Sequence, residues 1–164
     1  MRQNTLDEAY IRILAELVSA KVEFVIVGGV AGVIHGVPLA PSDVDVVYRR
    51  TEENAQRLMT AIGKLRAKFY GDISDLMGRS DFHLFTVHGK LDLLTVIDGE
   101  LSYGDLLPHS VELDVAGLRL NVLDLPIQIT IKEALSRETD MVALPLLRAA
   151  LKQRQHLPVR TSSG

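Results

Sequence analysis

A short apolar segment that ends in two glycines limits the folds open to this chain more than any other feature. Residues Glu23–Val27 are mostly β-branched or aromatic and show no polar alternation, so they predict a strand buried on both faces. Gly28 and Gly29 end that strand, and the next residues predict a short helix, Val30–His35. A buried strand that leads at once into a helix predicts a layered domain in which helices cover a sheet.

Helical periodicity predicts the longer helices. Thr5 and Glu8 have the spacing of a capping box at the start of a first helix. Thr51 is predicted to cap a second long helix. Helical spacing of apolar residues returns after Asp124 and continues to the end of the domain, where Pro145 either interrupts the last helix or marks its beginning.

Alternating patterns predict the remaining strands. Asp43–Tyr48 has a period of two, which places Asp43 and Asp45 on one face and the intervening valines on the other. Two hairpins are predicted, over 81–97 with a turn at His88-Gly89 and over 111–122 with a turn at Ala116-Gly117, and 71–80 is predicted to be a loop.

These elements predict an α+β domain, layered in the α/β manner, with a mixed β-sheet flanked by helices and further helices at the C-terminal end. The length of 164 residues suits a single domain over residues 1–155. Residues 156–164 have no apolar periodicity and are predicted to form a mobile tail.

Composition excludes several classes of function. The chain has no cysteine, which excludes disulfides, thiolate metal sites and a cysteine nucleophile. Tryptophan is absent and the net charge is only −3, so composition alone does not indicate nucleic-acid binding. The N-terminal segment lacks the basic region of a signal peptide, and the apolar run 24–41 contains glycines and prolines that a spanning helix avoids. We therefore expect a cytoplasmic protein without a membrane partner.

The glycine pair and the alternating strand together predict a site for phosphate chemistry. Glycines at the start of a helix let backbone N–H groups approach a phosphate closely. Asp43 and Asp45 then place two carboxylates side by side, and their mutual repulsion is relieved by a divalent cation. Oxygen ligands of this kind suit Mg²⁺ or Mn²⁺.

Asp92 is the candidate third carboxylate. It is an isolated acid in the apolar stretch Lys90–Leu94, so its side chain needs a partner or a metal. A neighbouring strand could bring it to Asp43 and Asp45, and the three acids would then form a site for metal-assisted phosphoryl or nucleotidyl transfer.

The pattern Gly28-Gly29, Asp43-Val44-Asp45 and Asp92 resembles the DNA polymerase β-type nucleotidyltransferase superfamily. Within it, the chain is most similar to the AbiEii-like and related uncharacterised bacterial families. Those families carry a lysine, an arginine five residues later and an aspartate three residues after that, as Lys132, Arg137 and Asp140 do here. The resemblance covers about residues 8 to 152.

This resemblance implies a nucleotidyltransferase fold and the transfer of an NMP group from an NTP to a hydroxyl, with release of pyrophosphate. It implies that Asp43, Asp45 and Asp92 are catalytic and bind Mg²⁺ or Mn²⁺. The implied nucleotide-binding residues are Gly28, Gly29, Ser42 and Lys132, and the implied supporting residues are Arg137 and Asp140.

Three positions depart from the family pattern and keep a second interpretation open. Leu39 and Pro41 stand where AbiEii-like relatives commonly have arginine and threonine, and Ala143 replaces a second aspartate. The alternative is a catalytically degenerate module of the same fold that binds nucleotide or a protein partner. Arg49 and Arg50 are candidates to replace the missing arginine. Further hypotheses are that the acceptor is RNA or protein, that the protein forms a homodimer, and that it has a toxin–antitoxin role with an antitoxin partner.

Other polar residues are weaker candidates. His83 and His88 are predicted on opposite faces, so a metal pair or a site role is disfavoured. His35 is interpreted as a helix C-terminal cap in preference to a nucleotide contact. The basic residues Arg148, Lys152, Arg154 and Arg160 lack a nearby acid in the sequence and are interpreted as a solvated surface in preference to an RNA contact.

Overall fold

Six strands of the computed structural model form one mixed sheet, and helices cover both of its faces. The structure describes residues 6–98 and 100–155. The helices are α1 Glu8–Ser19, α2 Gly28–Ile34, α3 Glu52–Lys64, α4 Ile73–Leu76, α5 Tyr103–Leu106, α6 Leu125–Leu135 and α7 Glu138–Gln155, with a 3₁₀ turn at Leu107–His109. The strands are β1 Phe24–Val27, β2 Val44–Tyr48, β3 Phe82–Thr86, β4 Gly89–Leu94, β5 Val96–Ile97, β6 Leu101–Ser102, β7 Ser110–Val115 and β8 Leu118–Leu123.

The strand order of the sheet is β3-β4-β2-β1-β8-β7. Strand β1 is antiparallel to β2 and parallel to β8, and β2 is parallel to β4. The two hairpins, β3–β4 and β7–β8, form the outer pairs of the sheet. The α+β prediction of a mixed sheet flanked by helices is confirmed. The short strands β5 and β6 form a separate ribbon.

The central strand β1 is buried on both faces, as its composition predicted. Phe24 and Ile26 join the larger core, which contains apolar residues of α1, α2 and α3. Val25 and Val27 point to the opposite face, where they pack with Leu123 and with side chains of α5. A third cluster joins α6 and α7 through residues such as Leu144 and Leu147.

Several element boundaries differ from the predictions. Helix α1 is capped by Asp7, whose Oδ1 accepts a hydrogen bond from the Ala9 N–H; the predicted capping residue Thr5 lies outside the described residues. Helix α2 begins at Gly28, so both glycines belong to its first turn. Pro145 lies inside α7, where the packing of that helix on α6 outweighs the missing N–H.

Two further differences follow from local turn chemistry. The predicted loop 71–80 contains α4, because Asp72 and Asp75 form a capping box around its first turn. In the first hairpin Thr86 pairs with Gly89, so the turn residues are Val87 and His88, one position earlier than predicted. The Thr86 hydroxyl favours this register because it accepts from the His88 N–H and donates to the Gly89 carbonyl. The predicted tail 156–164 lies outside the described residues.

None of the helices in the described part of the chain combines the length and the apolar character needed to cross a bilayer.

Candidate active site

Three aspartates predicted to act together meet on one face of the sheet. Asp45 in β2 and Asp92 in β4 are register partners in a parallel strand pair, and Asp43 immediately precedes β2. One carboxylate oxygen from each of the three lies within 4.8 Å of the others. The period-two prediction for β2 is thus confirmed, and the parallel pairing with β4 supplies the third carboxylate.

Crowding of these carboxylates changes their proton affinities. Burial raises the pKa of Asp45 to about 8, and a hydrogen bond to Asp92 and the charges of Asp43 and Asp92 contribute in the same direction. Burial also raises the pKa of Asp43, again with Asp92 adding to the effect. Burial alone would raise the pKa of Asp92, but hydrogen bonds from Asp45, His83 and Asp43 outweigh it and hold that pKa below its usual value. Without a cation, the cluster therefore retains a proton near neutral pH.

The donor set fits a hard divalent cation. All three ligands are carboxylates, which Mg²⁺ and Mn²⁺ prefer, and a cation would replace the retained proton as the positive charge among them. Asp43 and Asp45 are partly exposed, so the cluster is open to solvent and to a ligand.

The two glycines create space for their neighbours. Gly28 has a φ of +68°, and a Cβ at this position would collide with the Asp45 carboxylate oxygen Oδ2. A Cβ on Gly29 would lie 2.9 Å from Cβ of Pro41. The glycine pair therefore allows α2 to start directly beside Asp45, and it also allows the loop before β2 to pack on α2.

Leu39 and Pro41, in the loop before β2, take part in this packing. Pro41 contacts Gly29, and its carbonyl accepts a hydrogen bond from the Tyr10 hydroxyl at 2.9 Å. Leu39 packs against Gly32, where an added Cβ would come within 3.0 Å of its Cδ1 atom. Leu39 and Pro41 therefore serve in the packing of this loop on α2.

His83 belongs to the carboxylate cluster, although the sequence disfavoured a site role for it. It lies opposite Asp92 in the β3–β4 hairpin, and its Nδ1 is 2.7 Å from Oδ1 of Asp92. The hydrogen bond holds one oxygen of Asp92. His83 was missed because it was compared only with His88, which was predicted on the opposite face, and its pairing with Asp92 across the hairpin was not anticipated.

A cleft of about 470 Å³ opens beside the cluster. Its lining includes Gly28 and Asp45, the cations Lys132 and Arg137, and the further acids Asp81 and Asp98. Apolar side chains of β4, β5 and α6 supply most of the remaining surface, and this volume is within the usual range for small-molecule sites.

The sequence motif Lys132, Arg137 and Asp140 is assembled around a buried carboxylate. The Asp140 side chain is 2% exposed. It accepts from Lys132 Nζ at 3.3 Å, from Arg137 Nε at 2.8 Å and from the Arg137 backbone N–H at 3.2 Å. Asp140 therefore holds two cations at the wall of the cleft.

Four other candidates lie elsewhere or make structural contacts. Arg49 pairs with Glu23 and Arg50 donates to the Gly78 carbonyl, both at the far end of β2 from the cluster, so neither replaces the missing arginine. Ser42 is exposed beside Asp43 and its hydroxyl makes no hydrogen bond to the described residues. His35 is the C-cap residue of α2, and its Nε2 lies 3.0 Å from the Leu123 carbonyl oxygen, as the structural interpretation predicted.

The described basic residues near the C-terminal end, Arg148, Lys152 and Arg154, are exposed, as predicted, and two of them have acidic partners that are distant in the sequence. Arg148 pairs with Glu133 at 2.8 Å, and Arg154 pairs with Asp124 at 2.8 Å. Both acids are on or next to α6, which the sequence did not place beside α7. Arg160 lies outside the described residues.

Comparison with known proteins identifies the fold. No family model matches the chain, and no curated protein sequence matches it significantly. A nucleotidyltransferase candidate from Thermotoga maritima has a TM-score of 0.57 at 19% identity, covering 92% of this chain and 98% of its own. The lincosamide antibiotic adenylyltransferase LnuA, solved with lincomycin bound, has a TM-score of 0.62 at 15% identity, covering 89% and 98%.

The antibiotic-resistance factor ANT(2'')-Ia, solved in solution, has a TM-score of 0.56 at 14% identity and covers 92% of this chain and 95% of its own. The chain thus has the nucleotidyltransferase fold over nearly its whole length.

Proposed function

We propose that this protein is a metal-dependent nucleotidyltransferase that moves an NMP group from an NTP to a hydroxyl of an acceptor and releases pyrophosphate. The observation that carries the proposal is the carboxylate cluster Asp43, Asp45 and Asp92, of which Asp45 lines a cleft that is also lined by Lys132 and Arg137. Acids that hold a cation and cations that face a phosphate are the groups this reaction requires.

The three aspartates hold the reacting groups. Asp43 and Asp45 would bind the cation together with Asp92, and the cation when bound supplies positive charge that offsets the charge developing on the phosphate oxygens. Asp92 accepts the proton of the acceptor hydroxyl as its oxygen forms a bond to the α-phosphorus and the bond from that phosphorus to the bridging oxygen of pyrophosphate breaks. His83 keeps Asp92 oriented through the bond to Oδ1.

The cleft wall and α2 hold the nucleotide. Lys132 and Arg137 attract the phosphates, and Asp140 fixes the position of both. The backbone of Gly28 and Gly29 approaches the phosphates from the other side. Ser42 is exposed next to Asp43 and adds a hydroxyl beside the same ligand.

The structural neighbours support this class of reaction, since one is an adenylyltransferase and another is a nucleotidyltransferase candidate. The AbiEii-like assignment and its consequences, an RNA or protein acceptor and an antitoxin partner, are carried by the sequence motifs alone. The packing of Leu39 and Pro41 against α2 favours the second candidate, a module of this fold that binds nucleotide without turnover.

The test is pyrophosphate release from each of the four NTPs with Mg²⁺, Mn²⁺ or a chelator, in the presence of RNA, protein and small hydroxyl compounds as acceptors. We expect metal-dependent release that Asp43→Asn/Asp45→Asn lowers by at least about a thousandfold, because metal-based charge stabilisation is lost. Glu53→Gln/Glu138→Gln removes the same charge from exposed helix positions and should leave the rate unchanged.

Metal-dependent NTP binding without a labelled acceptor or pyrophosphate would contradict the enzyme and support the degenerate module. Full activity in Asp43→Asn/Asp45→Asn would show that the site is wrongly assigned.

A further inference from the structure

Gln128 is a buried polar residue in the wall of the cleft that the proposed chemistry does not use. It lies on α6 one turn before Lys132, and it is 5% exposed. The side chain nevertheless lines the cleft, together with Val27 and Gly28 at the end of β1.

The orientation of its amide is fixed by a backbone carbonyl. Gln128 Nε2 donates to the Leu123 carbonyl oxygen at 2.8 Å, and His35 Nε2 lies 3.0 Å from the same oxygen. A carbonyl oxygen only accepts hydrogen bonds, so the NH₂ group of Gln128 must face it. The two donors fill both lone pairs of that oxygen, and Oε1 of Gln128 is held on the opposite side of the amide.

This oxygen has no hydrogen-bond donor among the residues that the structure describes. No fully buried side-chain nitrogen or oxygen in that part of the chain lacks a partner, so Gln128 Oε1 is reached from the cleft. An acceptor held rigidly at the surface of a cleft bonds to water in the free protein, and a ligand that displaces this water must supply a donor in its place, so such an acceptor discriminates between ligands with and without a donor.

The surroundings decide which part of a nucleotide suits this position. Leu94, Val96, Ile97, Ile131 and Leu135 give the cleft an apolar lining, to which Asp81 and Asp98 add carboxylates. Phosphate oxygens are themselves acceptors, so they do not satisfy Oε1, and Lys132 and Arg137 attract them instead. A largely apolar lining with a neutral amide acceptor fixed in it suits a nucleoside, which has flat apolar faces and carries N–H and O–H donors.

We propose that Gln128 is a specificity-determining residue, and that its Oε1 accepts a hydrogen bond from the nucleoside part of the bound nucleotide. The inference rests on the proposed nucleotidyltransferase function. The donor is an exocyclic amino group of the base or a hydroxyl of the ribose. The two donors can be distinguished, because a nucleotide analogue that lacks the donating group cannot form the hydrogen bond to Gln128.

The experiment measures dissociation constants for wild type and Gln128→Met with Mg²⁺ and the four NTPs, and then with analogues of the tightest one. For ATP these are inosine triphosphate, which lacks the amino group, and the 2′-deoxy and 3′-deoxy nucleotides. For wild type we expect one analogue to bind about five- to tenfold more weakly, the effect of one neutral hydrogen bond. Gln128→Met should bind the parent nucleotide and that analogue equally. Gln56→Met, the same change at an exposed position of α3, should behave as wild type.

Loss of discrimination at the amino group identifies the base as the donor, and loss at a deoxy position identifies the ribose. Equal weakening of every nucleotide by Gln128→Met, or discrimination that survives it, would overturn the proposal. Should Gln128→Met fail to fold, the shift of the Gln128 side-chain amide signal in wild type on adding each nucleotide decides the question, since only a nucleotide with the donor should move it.

Failure of this inference and failure of the proposed function give different results. Transfer that depends on Asp43 and Asp45 but not on Gln128 overturns the inference alone. Gln128-dependent discrimination between nucleotides without any pyrophosphate release overturns the enzyme and leaves the inference standing. Absence of binding to all four NTPs overturns both.

Discussion

Gly28 shows how one residue without a side chain sets the geometry of the candidate site. Its φ of +68° is costly for a residue with a Cβ, and the Cβ would collide with the Asp45 carboxylate. We expect Gly28→Ala to destabilise the fold by about 1–2 kcal/mol and to weaken metal binding about tenfold or more, because Asp45 must move. Binding of Mn²⁺ followed by electron paramagnetic resonance and thermal unfolding measure the two effects.

The matched control is Gly63→Ala. Gly63 lies in α3 and nothing lies within 4 Å of its added Cβ, so this change should stabilise the helix by about 0.5–1 kcal/mol and leave metal binding unaltered. Unchanged Mn²⁺ binding in Gly28→Ala would contradict the role assigned to Gly28.

At this scale the sequence predicted the acids of the site but not all of their partners. Asp43 and Asp45 were readable because a period of two in a strand fixes which side chains share a face. His83 was not, because its pairing with Asp92 depends on the turn of a hairpin, and a turn displaced by one residue changes every cross-strand pair. The Thr86 hydroxyl, which bonds across the turn, is the signal that could have located it.

The corner between α6 and α7 is the element that carries the cationic wall of the cleft. Ser136 ends α6 in the left-handed conformation, and Asp140 in the first turn of α7 then reaches both Lys132 and Arg137. The spacing of these residues could be read from the sequence, but the reversal at Ser136 that brings them together could not. A left-handed serine has no specific sequence signal.

Asp140 should make the free energy of unfolding depend on pH in the acidic range. The side-chain hydrogen bond from Arg137 lowers the pKa of Asp140, with burial acting in the opposite direction. A lowered pKa in the folded state contributes stability that is complete above the unfolded value, about 4, and is lost as pH falls through the folded value. We expect Asp140→Asn to lower the free energy of unfolding by about 1–3 kcal/mol at pH 7. The lower value allows for the exposure of Arg137, because solvent weakens an ion pair with an exposed side chain.

Urea unfolding of wild type and Asp140→Asn between pH 7 and pH 3 measures this contribution. The difference in the free energy of unfolding should stay constant down to about pH 4 and shrink below it. A difference that does not change with pH would mean that the carboxylate charge is not what Asp140 contributes. Asp114→Asn, at an exposed turn of the β7–β8 hairpin, is the control for a general loss of charge.

On the scale of the whole molecule, the carboxylate cluster should oppose folding until a cation binds. Three acids held within 4.8 Å repel one another, and a cation that binds only the folded chain stabilises it by mass action. Without metal, Asp43→Asn/Asp45→Asn should unfold at a higher temperature than wild type, by roughly 2–4 °C for each kcal/mol of repulsion removed. Mg²⁺ at 100 times its dissociation constant should stabilise wild type by about 2.7 kcal/mol and the double variant not at all.

Scanning calorimetry with Mg²⁺ and with a chelator checks both halves of this expectation. A double variant that is less stable than metal-free wild type would show that the aspartates make stabilising contacts and do not simply repel one another.

The fold that holds the aspartates was predictable as a class, because buried strands and amphipathic helices leave patterns in the sequence. The strand order was not, because a parallel pairing such as β2 with β4 leaves no local trace.

That parallel pairing also decides when in folding the site comes into existence. Asp45 and Asp92 are 47 positions apart, and they become neighbours only after the chain between them has closed into α3, α4 and β3. A fragment that ends before β4 would contain two of the carboxylates and no cleft. The complete cluster thus depends on a long-range contact, and during synthesis it stays incomplete until β4 has been made.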